Sequence, residues 1–112
     1  MARGQNLGRG DVVWVSLDPT VGAEIRKRRP CVVLSLSVLN EERLTVVVVP
    51  LSTASTPRPP LVVAVPSAGA GANARIDQVR AVDKSRILEA AGKLNRADME
   101  QVEQALRIVL GL

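Results

Sequence analysis

Residues 22 to 30 read Gly-Ala-Glu-Ile-Arg-Lys-Arg-Arg-Pro, four consecutive cations following one carboxylate. On a loop, such a segment can hold a polyanion: guanidinium forks clamp phosphate oxygens, and Glu24 is a proton acceptor beside them. RNA cleavage needs no metal when an acceptor for the 2′-hydroxyl, a cationic clamp and further donors surround one phosphodiester. Glu24 fits the acceptor and Arg29 the clamp, while Arg26, Lys27 and Arg28 suit flanking phosphates. The same cations weaken Glu24 as a base, so this scheme draws more rate from positioning and charge stabilisation than from proton transfer. The plain alternative is a solvated charged loop, which is what most charge runs are. Pro30 favours function, because it fixes where the loop re-enters a strand.

Other candidates lie further along. Ser52 and Thr53 follow the apolar run 46–51, where a central strand leaves the core, although loop hydroxyls often only cap backbone. Gln78 and Arg80, two apart, share one face if their segment is a strand, and with Arg58 they are candidate RNA contacts. Trp14 is expected in the core or at an interface, and Cys31, inside an apolar run, is expected to be inert.

Composition excludes much else. The 112 residues include no His and one Cys, so neither imidazole catalysis nor a Cys-ligated structural zinc can be assembled. The single thiol also forbids an internal disulfide and fits a reducing compartment. Asp11, Asp18, Asp77 and Asp83 have no spacing that gathers them around Mg²⁺, and Asp18 before Pro19 reads as a turn former. No metal and no cofactor are expected. Fifteen Lys and Arg against 11 Asp and Glu give a net charge of +4, which favours a polyanionic partner. Without Phe or Tyr, the chain cannot build the aromatic stacking platform of many single-strand binders, so phosphate and base-edge contacts are expected to suffice. There is no signal peptide and no run near the roughly 20 apolar residues of a membrane span, so a soluble, cytoplasmic protein with no membrane partner is expected.

These residues need a scaffold, and the apolar pattern supplies one. Runs at 12–15, 30–36, 44–51 and 61–65 are short, β-branched and separated by Pro, Gly and Ser, a strand-and-turn rhythm. The run 44–51 is nearly continuous and therefore central and buried on both faces. Residues 40–43 read as a hairpin-like connection, 52–60 as a loop, and 69–71 as a flexible loop. Residues 76–82 alternate as a strand would, and 87–94 can be strand or helix. The chain closes with an amphipathic helix: Asn95 caps it, Asp98 stands near its start, Met99, Val102, Leu106 and Val109 form its stripe, and Gly111 stops it. The fold expected is mostly β, a small antiparallel barrel with a C-terminal helix. A flexible segment over 1–8 precedes a single domain over 9–112.

Ordered blocks carry a more specific signal. Residues 10–24, running from Gly10-Asp11 through Trp14 and Asp18-Pro19-Thr20 to Glu24, are followed by Arg29-Pro30, then Val49-Pro50-Leu51-Ser52-Thr53, then Asp77-Gln78-Val79-Arg80. Together they resemble the MazF/PemK family of toxin endoribonucleases over 9–112. The resemblance implies an SH3-like barrel acting as a homodimer. It also implies a metal-independent ribonuclease that cuts single-stranded mRNA at short motifs through a 2′,3′-cyclic phosphate, and an acidic antitoxin that neutralises it. On the family pattern Arg29 matches the catalytic arginine before proline and Glu24 an acidic position that is catalytic in some members. The family's usual Thr after the proline-ending strand is Ser52 here, with Thr53 next, so either hydroxyl can be the one that meets the phosphate. Where the family often has small residues, this chain has Arg26-Lys27-Arg28, which predicts stronger salt sensitivity. The same fold is used by toxins similar to CcdB that bind DNA gyrase and cut nothing, and a basic barrel that merely binds nucleic acid is a third reading.

Overall fold

The computed structural model describes residues 6–19, 21–24 and 27–112. Its elements in order are β1 (Asp11–Ser16), β2 (Arg28–Val33), α1 (Ser37–Glu42), β3 (Thr45–Ser52), β4 (Val62–Ala64), β5 (Asn73–Arg75), β6 (Arg80–Asp83), β7 (Ile87–Lys93) and α2 (Arg96–Leu110). All ladders are antiparallel, in the order β4-β5-β3-β2-β1-β7, with β6 also on β3. Against the expected barrel, these pairings leave the curled sheet open.

β3 is central because it takes β2 along one edge, while β6 and then β5 share the other. Period-2 alternation divides the apolar residues between two cores. Val12, Val32, Val49 and Leu51 pack under α2 with Val102 and Ala105, whereas Val13, Val15, Cys31, Val33, Val46 and Val48 fill the opposite side. Burial on both faces of β3 is thus the rule beyond its first residues, with Val47 left part-exposed. Leu7 is buried, and its carbonyl accepts from Asn40 Nδ2 at 2.8 Å.

Two segments differ from expectation. Residues 40–43 do not form a hairpin-like connection; they belong largely to α1, whose buried Asn40 donates to Leu7 O and to Ser35 O at 2.9 Å and accepts from Ser35 Oγ. Those tertiary bonds make the helix. The alternating segment 76–82 opens as a single 3-10 turn, Ile76–Gln78, and only then becomes β6. Ile76 is fully buried and its N–H donates to Leu61 O at 2.9 Å, which bends the chain before the strand begins. Gln78 and Arg80 therefore do not share a strand face.

The open choice over 87–94 resolves to strand. α2 begins as its sequence requires: Asp98 N–H donates to Asn95 Oδ1 at 2.8 Å, and Gly111 sits at φ 71°, the left-handed cap that glycine adopts without strain. No helix among the described residues is long and apolar enough to cross a membrane.

Candidate active site

The face of the sheet that α2 covers continues past the helix. Trp14 follows Val12 by two on β1, Pro30 precedes Val32 on β2, and Leu51 follows Val49 on β3, so all three extend the covered row. Trp14, Pro30 and Leu51 of that row form the floor of a cleft of about 240 Å³. Arg28, Arg29, Ser52 and Thr53 line it with Trp14, and Ala68, Gly69 and Ala70 contribute a wall of little side-chain bulk.

Strand register brings the polar residues together. Trp14 is the Cα partner of Pro30, and Cys31 of Pro50, where the β2–β3 ladder ends; Arg29, one residue before Pro30, and Ser52, two after Pro50, both line the cleft. Lys27, at φ 70°, turns the chain into β2 through a conformation that non-glycine residues rarely adopt, and its carbonyl accepts from Leu17 N–H at 2.9 Å. The loop that carries the cations is thereby closed at its base.

Ser52 is buried at the end of β3, and its Oγ accepts from Ala54 N–H at 3.1 Å, leaving its own proton available to donate. Thr53 is exposed. The turn carrying them is held from β5, where Asn73 Nδ2 donates to Ser55 O at 2.5 Å and Arg75 Nη1 to Ser55 Oγ at 3.2 Å.

Several expected residues stand elsewhere. Glu24 is exposed, accepts from Val21 N–H through Oε1 at 2.6 Å, and is not among the residues lining the cleft. Arg26 lies outside the described residues. Lys27, Arg58, Gln78 and Arg80 do not line the cleft either. Trp14 is not a core residue: it is 36% exposed, on the cleft. Its residue type argues for packing, but it belongs to neither core cluster, and only strand register would reveal that. The sequence marks 69–71 as a flexible loop, and nothing in it assigns Ala68, Gly69 and Ala70 to the site. Cys31 is fully buried, and burial pushes its thiol up from 9.0 to about 12 despite the opposing pull of the Arg80 charge.

This arrangement can do one kind of chemistry well. Two adjacent guanidinium-bearing positions, two hydroxyls and one aromatic face suit a phosphodiester with a base beside it.

Comparison with known proteins points the same way. The family described as PemK-like, MazF-like toxin of type II toxin–antitoxin system matches residues 8–110. Endoribonuclease MazF9 of Mycobacterium tuberculosis is 29% identical over 115 residues, covering 95% of this chain and 98% of that protein. Endoribonuclease toxin MazF of Escherichia coli is 30% identical over 103 residues, covering 91% and 92%. The crystal structure of MazF from Deinococcus radiodurans superposes with a TM-score of 0.87 at 25% identity, covering 96% of this chain and 99% of that one. The gyrase-binding alternative is not favoured by these matches.

Proposed function

The chain belongs to the PemK-like, MazF-like toxins of type II toxin–antitoxin systems, and from that premise we propose that it is an endoribonuclease cutting single-stranded mRNA at short motifs without a metal. The observation that carries this reading is the convergence of Arg28, Arg29, Ser52, Thr53 and Trp14 on one cleft. The scissile phosphate lies against Arg29, whose fork meets the negative charge that grows as the 2′-hydroxyl oxygen attacks phosphorus. The 2′-hydroxyl gives up its proton, the bond to the 5′-oxygen breaks, that oxygen takes a proton from solvent, and a 2′,3′-cyclic phosphate remains.

Ser52 and Thr53 donate to non-bridging oxygens, and Trp14 stacks one base, fixing the nucleotide beside the clamp. Glu24 serves as proton acceptor only by exchanging the Val21 N–H for the 2′-hydroxyl. That exchange makes its share of the rate smaller than the share of Arg29. Arg26, Lys27, Arg28, Arg58, Gln78 and Arg80 supply flanking contacts to phosphates and base edges. No cofactor takes part.

The partners follow from the same charges. An acidic antitoxin segment competes with RNA for the cleft, and the toxin works as a homodimer in the cytoplasm.

The test is to incubate the purified protein with a long unstructured RNA in EDTA and to identify the new ends. The reading requires discrete cuts bearing 2′,3′-cyclic phosphates, and none where the nucleotide 5′ to the cut is 2′-deoxy. Intact RNA together with inhibited DNA supercoiling would reject it.

A further inference from the structure

One wall of the cleft is built from residues too small to hold their own position. Ala68, Gly69 and Ala70 belong to the connection between β4 and β5; the Ala68 methyl touches the edge of the core under α2, while Gly69 and Ala70 add little bulk. The connection is short and internally bonded: Ala68 N–H donates to Val65 O at 2.9 Å, Gly69 N–H to Pro66 O at 3.0 Å, and Ala72 N–H to Gly69 O at 3.1 Å. Those bonds set its shape. Its ends are tied to the sheet by Val65 N–H donating to Ala72 O at 2.9 Å and by the β4–β5 ladder, which leaves the outer turn at 66–70 to be held from elsewhere.

That placement comes from the first turn of α2. Ser67 N–H donates to Asp98 Oδ2 at 2.8 Å, Asn95 N–H donates to Ser67 Oγ at 3.1 Å, and Asp98 N–H donates to Asn95 Oδ1 at 2.8 Å. The three residues form a closed circuit joining the first turn of α2 to the turn Pro66–Ala68. Asp98 is 7% exposed, so its carboxylate works with little competition from water. In the third helical position it also faces the positive end of the helix dipole. It has two separable duties, stabilising α2 and holding Ser67.

We propose that Asp98 is a positioning residue for the cleft: through Ser67 it holds the backbone of residues 68–70 where a bound RNA strand meets it. The inference rests on the ribonucleolytic reading, and the two duties of Asp98 allow it to be tested apart from stability. Asp98→Asn keeps a carbonyl oxygen able to accept from Ser67 N–H but loses the charge facing the dipole. Asp98→Ala loses both. Glu103→Gln is the control, since Glu103 pairs with Arg9 and ties α2 to the sheet without touching residues 66–70.

The experiment measures cleavage kinetics of a single-stranded RNA, thermal midpoint, and acrylamide quenching of Trp14, which is the only aromatic residue and lines the same cleft. Losing the bond from a charged acceptor raises KM for Asp98→Ala about tenfold with kcat little changed, and quenching of Trp14 changes. Asp98→Asn and Glu103→Gln lower the thermal midpoint while KM and quenching stay at the wild-type values. Where Asp98→Ala does not fold, Asp98→Ser, whose hydroxyl keeps a polar group in the first turn of α2 but is too short to reach Ser67 N–H, takes its place and shows the same direction.

The proposal is overturned if Asp98→Ala matches wild type in KM and quenching, or if Glu103→Gln moves both equally. Should the wild-type protein cleave no RNA, the proposed function fails on its own, and the quenching comparison still decides whether Asp98 holds the wall.

Discussion

Arg86 Nη1 lies 2.6 Å from the carbonyl oxygen of Asp18 and 3.1 Å from that of Ser16, so one guanidinium just before β7 holds the exit of β1. With the bond from Leu17 N–H to Lys27 O, it fixes the base of the loop that delivers Arg28 and Arg29 to the cleft. Arg86→Ala removes hydrogen bonds from a charged donor, and we expect a loss of about 1–2 kcal/mol, seen as a thermal midpoint lower by several degrees. A thermal melt with an unchanged midpoint would show that the loop holds its base without Arg86.

Salt dependence separates the flanking contacts from the clamp. Each phosphate neutralised on single-stranded nucleic acid contributes about 0.7 to the slope of log affinity against log salt. Binding of a 2′-deoxy analogue that cannot be cut, followed by anisotropy across a KCl series, should show Arg58→Ala flattening that slope by about one such step. An unchanged slope would remove Arg58 from the RNA path.

Cys31 makes a prediction about pH. Its thiol stays protonated in the folded protein up to about 12, whereas in the unfolded chain it ionises from 9.0. The unfolded state therefore binds fewer protons between those values, and stability falls as pH rises through that window. Urea unfolding at pH 8 and pH 10.5 should show this decline in the wild type and a smaller one in Cys31→Ala. The native thiol should also resist alkylation at pH 8.

Some of this architecture is legible in the residues and some is not, for identifiable reasons. β1, β3 and α2 carry their own signals: a β-branched run, a two-faced run, and an Asn95 cap with a Gly111 stop. α1 was missed because its helix depends on Asn40 finding Leu7 and Ser35, contacts with no local signature. The turn at Ile76 was hidden by an alternation that imitates a strand. At the site, residue types point to Arg29, Ser52 and Thr53, since cations and hydroxyls at strand ends suit phosphate, and the fold brings these three to one cleft. They could not place Trp14 on the cleft, for that depends on its register against Pro30. Nor could they show Glu24 turned toward Val21.

That last contact divides two duties of Glu24. Glu24→Gln keeps an oxygen for the Val21 N–H and loses the base. If proton acceptance is the minor term, the substitution slows cleavage by about tenfold, below the roughly hundredfold floor for general acid–base contributions. A loss beyond about a thousandfold would instead make Glu24 the principal catalyst.

The central claim is that charge stabilisation by Arg29 drives cleavage. The most direct measurement is single-turnover cleavage of a short RNA in EDTA by wild type and Arg29→Ala, with binding of the uncut analogue measured in parallel. The account predicts a rate lower by about two to three orders of magnitude with binding much less affected. Cleavage by Arg29→Ala at the wild-type rate would contradict it.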